Sequence, residues 1–223
     1  MLEETLRELH SELPSNVALV AVSKFHPLEM IVRAYRAGQR IFAESRPQEL
    51  QQKALAAKEE MPDISWHFIG HLQTNKLKMV LPYVDLVQSV DSLRLLQAIQ
   101  DWGTAHGRKV NVLLELHVAA EETKQGFTRE EILRIIADCN RTSDFDHVEI
   151  CGLMGMATFT EDEEVIRSDF RKLQDAYDSI RADWPEMTAF KELSVGMSGD
   201  YKIALEYGST MVRIGTKIFG ARV

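Results

Sequence analysis

Eight short, almost wholly apolar runs recur along the chain, each followed by a segment with helical spacing. The runs fall at residues 17–23, 41–44, 66–69, 84–90, 110–118, 148–154, 192–195 and 211–214. The spacing between them predicts helices over 28–37, 48–60, 75–80, 92–106, 129–139, 163–182 and 201–207, and the charged segment 1–14 reads as one more. Strands that are apolar throughout are covered on both faces, which is what helices flanking a parallel sheet achieve. An open doubly wound sheet is one solution. Eight βα repeats in 223 residues fit a single (β/α)8 TIM-type barrel better, at the compact end of its size range and with an extra N-terminal helix. No Pro/Gly/Ser-rich linker, low-complexity tract or internal repeat divides the sequence, so residues 1–223 are expected to form one domain.

Charge narrows the partners. Lys plus Arg number 26 against 34 Asp plus Glu, a formal charge of −8, which argues against nucleic acid and gives no help at an anionic lipid surface. No apolar run reaches the roughly 18 residues of a membrane span, and the segment 1–14 lacks the apolar centre of a signal peptide. Cys139 and Cys151 are the only cysteines and form no CxxC pair, so they read as buried small hydrophobes in a reducing cytoplasm. His67 and His71 lie four apart across a strand and turn, a spacing that does not aim two rings at one metal; no metal site is expected.

In such a barrel, chemistry gathers where the strands end. Strand one closes on Ser23-Lys24, and a lysine there is either a rim residue reaching solvent or a desolvated amine able to attack a carbonyl. Strand three ends in His67-Phe68-Ile69-Gly70-His71, strand four in Gln88-Ser89 and strand five in Glu115-Leu116-His117. Strands seven and eight run into Gly196-Met197-Ser198-Gly199-Asp200 and Arg213-Ile214-Gly215-Thr216, two turns of the kind that bind phosphate in these barrels. A phosphate anchor facing a reactive lysine describes pyridoxal 5′-phosphate, and equally an aldolase acting on a phosphorylated sugar.

The segments LVAVSK at 19–24, WHFIGHLQTNK at 66–76, SVDSL at 89–93, KQGF at 124–127, LSVGMSGD at 193–200 and GSTMVRIGTKIFGAR at 208–222 closely resemble the YggS/PROSC family of pyridoxal phosphate homeostasis proteins. The resemblance runs from the first strand to the C-terminal motif. It implies the fold of the alanine racemase N-terminal domain, a fold-type III barrel with the cofactor held covalently at its mouth. By motif, it makes Lys24 the Schiff-base lysine; Lys76 and Lys124, on loops, are secondary adduct sites by position alone. It makes Ser198, Gly215 and Thr216 phosphate contacts, and Arg213 the arginine facing the pyridine nitrogen. Met197, Ser45 and His67 are further expected cofactor contacts.

The sequence departs from the family pattern where Ala43-Glu44-Ser45 replaces Gly-Glu-Asn, at Phe25 in place of threonine, and at His117 in place of asparagine. These changes touch polar contacts around the ring, not the covalent or phosphate anchors. The resemblance implies a carrier, buffer and regulator of pyridoxal phosphate without robust turnover, cytoplasmic and monomeric, with pyridoxal-dependent apo-enzymes as partners. An arginine at the ring nitrogen disfavours the protonated ring on which most pyridoxal enzymes depend. The sequence stops at Val223, nine residues past Ile214, so the added domain that supplies a racemase's second base is not expected. The alternatives are a racemase or lyase using His67, His117 or Tyr201 as that base, and the aldolase.

Overall fold

The computed structural model describes residues 1–120, 125–141 and 145–221. Its strands are β1 (Ala18–Val22), β2 (Ile41–Glu44), β3 (Ser65–Phe68), β4 (Leu86–Val90), β5 (Val110–Glu115), β6 (Val148–Met154), β7 (Glu192–Met197) and β8 (Met211–Ile214). All neighbours are parallel, and β8 pairs back onto β1 through Ala18↔Met211 to Ala21↔Ile214, which closes the barrel in sequence order. The helices are α1 (Leu2–Glu12), α2 (Leu28–Arg36), α3 (Pro47–Ala57), α4 (Leu77–Val80), α5 (Leu93–His106), α6 (Arg129–Arg141), α7 (Glu163–Asp183), α8 (Tyr201–Glu206) and α9 (Thr216–Phe219).

The period-two alternation of the strands sorts the core into two populations. Val20, Val22, Ala43, Leu86, Leu113, Met154 and Met211 pack together inside the barrel. Leu19, Ala21, Phe42, Trp66, Phe68, Val87, Val112, Leu114, Leu153, Leu193, Val195 and Val212 face outward and pack under the helices. Leu2, Leu6 and Leu9 of α1 join that outer layer, so a charged N-terminal helix is tied down by one apolar edge.

Three expectations shift. β5 stops at Glu115, because Leu116 pairs instead with Phe127 in an isolated parallel bridge and His117 N–H donates to Phe127 O at 2.9 Å. The helix expected over 75–80 is a 3-10 turn, Thr74–Lys76, followed by α4, and α9 was not anticipated. Cys139 and Cys151 are half-buried rather than buried, and burial with Glu149 nearby pushes the Cys151 thiol up to about 11, too high for a reactive thiolate. Among the described residues no helix is long and apolar enough to cross a membrane.

Candidate functional site

Five polar side chains occupy strand positions whose neighbours in the chain face the outer layer, which places them on the barrel's inner register: His67, Gln88, Glu115, Ser194 and Arg213. Four of them form one directed string. Arg213 donates from Nη1 to both Ser194 O and Ser194 Oγ at 2.7 Å, and from Nη2 to Gly155 O at 2.9 Å. Ser194 Oγ donates to Gln88 Oε1 at 2.7 Å, and Gln88 Nε2 donates onward to His67 Nδ1 at 2.8 Å. The direction of donation makes His67 Nδ1 an acceptor and fixes the neutral tautomer. Burial agrees: the imidazole is 5% exposed and its pKa falls to about 4.

Arg213 is 4% exposed, and burial lowers its pKa to about 10, still well above neutrality. Among the described residues its guanidinium makes no ion pair. Glu115 and Asp200 reach it only through longer-range attraction. Those carboxyls answer to burial more than to Arg213. Desolvation, with Asp91 adding to it, raises Glu115 to about 7, and desolvation also raises Asp200. Three of the guanidinium's five N–H groups are accounted for by neutral acceptors, which leaves donors for a further acceptor.

Beside this string lie the turns after β7 and β8. Gly196 has φ +95, and a Cβ there would come within 2.7 Å of Ala204 Cβ, so only glycine lets β7 turn into α8. Met197 N–H then donates to Asp200 Oδ1 at 2.6 Å, which shapes the tip. Gly215 N–H donates to Ser198 Oγ at 3.3 Å, so one hydroxyl joins the two turns. A Cβ on Gly215 would press on Val22 O at 3.3 Å, against the end of β1. Ser198 is half-buried, and Thr216 and Met197 are exposed. At 37% exposure Met197 is a rim residue, not core filler.

Lys24 sits two residues past the end of β1, in the turn that follows it, and is half-buried. Ser45 is half-buried after β2 and packs its backbone against Gly70. The structure therefore brings Arg213, Ser198 and Gly215 together beside the end of β1. It sets His67 inside the barrel at the far end of the Arg213 string, level with Ala43 and Leu86. Tyr201 is ruled out as a base at the mouth, because it lies in the outer layer with its hydroxyl bonded to Glu12 and Lys217. His117 Nδ1 is buried without a hydrogen-bond partner among the described residues. Lys124 lies outside the described residues, and no group of three or more His, Cys, Asp or Glu among them is placed to hold a metal.

Ser194 escaped the sequence reading, and Gln88 entered it only as the end of strand four, with no role assigned. The available signal was a polar side chain on the inward register of an otherwise apolar strand.

The family described as the alanine racemase N-terminal domain matches residues 1–223. The pyridoxal phosphate homeostasis protein of Vibrio alginolyticus is 38% identical over 94% of this chain and 88% of its own. The human protein of that name is 37% identical over 92% of this chain and 76% of its own. Among solved structures, PipY of Synechococcus elongatus without PLP superposes with a TM-score of 0.90 at 33% identity, and its PLP-bound form with 0.87 at 32%. Each covers 99% of this chain and 100% of PipY. Alanine racemase of Clostridium difficile shares the fold, with a TM-score of 0.75 at 17% identity over 99% of this chain and 56% of the racemase.

Proposed function

The chain belongs to the alanine racemase N-terminal domain family and, within it, to the pyridoxal phosphate homeostasis proteins; from that premise we propose that it binds pyridoxal 5′-phosphate at the barrel mouth and serves as its carrier, buffer and regulator. The observation that carries the reading is Arg213, a buried cation bonded only to neutral acceptors beside two joined turns and a strand-end lysine. Such a guanidinium suits a ligand that brings its own acceptor.

When bound, pyridoxal 5′-phosphate supplies an aldehyde that a neutral amine attacks, forming a C=N bond with loss of water. Lys24 provides that amine from the turn that follows β1. Ser198 Oγ would donate to a phosphate oxygen, the Gly215 N–H would turn to another from its long 3.3 Å bond to Ser198 Oγ, and Thr216 would donate from the exposed start of α9. Met197 and Ser45 flank the site, and His67 supports Arg213 through Gln88 and Ser194.

Arg213 also explains the absence of turnover in this reading. It keeps its own proton toward the pyridine nitrogen and so holds that nitrogen unprotonated, the weaker state for drawing electrons from a substrate. Residues 1–223 then act as one domain, monomeric in the cytoplasm, passing the cofactor to pyridoxal-dependent apo-enzymes.

The test is an absorbance scan of the purified protein with borohydride trapping and peptide mass mapping. Near-visible absorbance and a reduced adduct on Lys24 are expected, and Lys24→Ala should lose both. A variant that keeps a full stoichiometric adduct would move the anchor elsewhere. Rapid α-deuterium exchange from L-amino acids in the wild type would make the protein a racemase or lyase instead.

A further inference from the structure

The end of β1 is held from behind by a buried ion cluster. Ser23 to His26 form a β-turn in which His26 N–H donates to Ser23 O at 3.1 Å. Lys24 is the second residue of this turn and Phe25 the third. Phe25 has φ +69 and is the only non-glycine residue with positive φ among those described. A positive φ at the third position belongs to type II turns, where glycine is the usual occupant. Type I and type II turns differ by a flip of the central peptide, here the one that joins Lys24 to Phe25.

That peptide is gripped. Phe25 N–H donates to Glu49 Oε1 at 2.7 Å. The same carboxylate oxygen takes Lys53 Nζ at 2.7 Å, one helical turn along α3. Lys53, 8% exposed, spends its other two donors on Ser23 O at 2.9 Å and on Glu44 Oε1 at 2.7 Å. Ser23 Oγ closes the ring by donating to Glu44 Oε1 at 2.6 Å. One ammonium therefore ties together the first carbonyl of the turn, the carboxylate that holds its central peptide, and the end of β2. The Phe25 ring lies under Arg46, 4.3 Å from the guanidinium carbon to the ring centroid.

A barrel needs no such cluster to close a strand, and desolvating a lysine and two carboxylates is costly. We propose that Glu49 and Lys53 are positioning residues for Lys24. By fixing the peptide that follows Lys24 in a conformation phenylalanine would not choose, they aim the Lys24 amine at the cofactor's aldehyde. The inference rests on the assignment of Lys24 above. It concerns covalent capture only; anchoring of the phosphate by the turns after β7 and β8 is independent of it.

That independence sets the experiment. Pyridoxal 5′-phosphate capture is followed by stopped-flow absorbance with borohydride trapping at Lys24. Affinity for pyridoxine 5′-phosphate, which carries an alcohol in place of the aldehyde, is measured by calorimetry. Glu49 lies toward the rim, so Glu49→Ala is expected to fold, to slow capture about tenfold and to leave pyridoxine 5′-phosphate affinity unchanged. Glu49→Gln keeps an acceptor for Phe25 N–H and should recover most of the rate. Adding Phe25→Gly to Glu49→Ala should also recover it, because glycine takes the positive φ without help. Capture by Glu49→Ala at the wild-type rate would overturn the inference. So would a parallel loss of capture and pyridoxine 5′-phosphate affinity that neither second change recovers. A wild type with no adduct at Lys24 would instead overturn the assignment of Lys24, and the inference with it.

Discussion

Lys53 and Arg213 are both buried cations near the C-terminal end of the barrel, and they are treated in opposite ways. Lys53 lies between sheet and helix with all three donors occupied, two of them by carboxylates. Arg213 points into the barrel with neutral acceptors only and donors to spare. A cation compensated within the fold holds backbone in place; a cation left to neutral partners is prepared for an acceptor that arrives later. The contrast separates scaffold from site more clearly than burial does, since both residues are nearly inaccessible.

The strongest test of that contrast is Lys53→Met. It strands Glu44, which is fully buried, and Glu49 beside it. Breaking a buried pair by removing one partner costs about 3–5 kcal/mol. Desolvation already raises the Glu44 pKa to about 7, so protonation relieves part of that cost and the loss should sit at the lower end. Urea unfolding at neutral pH should show a lower midpoint with an unchanged slope. A loss below about 1 kcal/mol would mean that the cluster is not the compensated node described.

The carboxyl facing Arg213 sharpens the other side. Glu115 has its pKa raised from 4.5 to about 7, mainly by desolvation. A carboxyl that binds its proton more tightly when folded stabilises the fold fully below its unfolded pKa and loses that contribution as pH rises to the folded one. Stability should therefore fall between about pH 4.5 and pH 7, by up to about 3 kcal/mol for this group. Glu44 acts in the same direction over the same window. His67, lowered to about 4, acts oppositely: its contribution is present above 6.5 and lost as pH falls. Glu115→Gln isolates one member, and its chemical-denaturation stability should decline less with pH than the wild type's. Parallel pH profiles would show that Glu115 is not desolvated as the geometry implies.

How far the sequence could be read follows the same division. The apolar runs gave away the strands, and a lysine closing such a run marked Lys24, because both signals are local. The turns after β7 and β8 were legible through glycine and serine. The string from Arg213 to His67 was not, because Ser194 and Gln88 are 106 residues apart and meet only through barrel closure. Glu49 and Lys53 drew no reading from the sequence, since an i,i+4 pair of opposite charges is common on solvated helix faces; packing of α3 over the ends of β1 and β2 buries Lys53 and half-buries Glu49. Phe25 stood out only as a departure from the family pattern; nothing local marked its positive φ, since a turn that needs one announces itself in sequence by glycine or asparagine.

The smallest expected effect on stability is the most discriminating, and it comes from Arg213→Met. The change leaves Gly155 O without its Arg213 donor, at a cost of about 1–3 kcal/mol for a buried acceptor left unsatisfied, while Ser194 O keeps the Gly155 N–H at 3.1 Å. Against that, the variant no longer has to desolvate a guanidinium that no carboxylate compensates, and methionine fills comparable space. The two terms oppose, so the unfolding free energy without cofactor should change by no more than about 1–2 kcal/mol, well short of Lys53→Met. Affinity for pyridoxal 5′-phosphate should nevertheless drop, and Glu115, deprived of the nearby positive charge, should titrate still higher, as a carboxyl-selective NMR titration would report. If Arg213→Met unfolds the protein as readily as Lys53→Met, then Arg213 is a structural cation like Lys53, and its spare donors say nothing about a ligand.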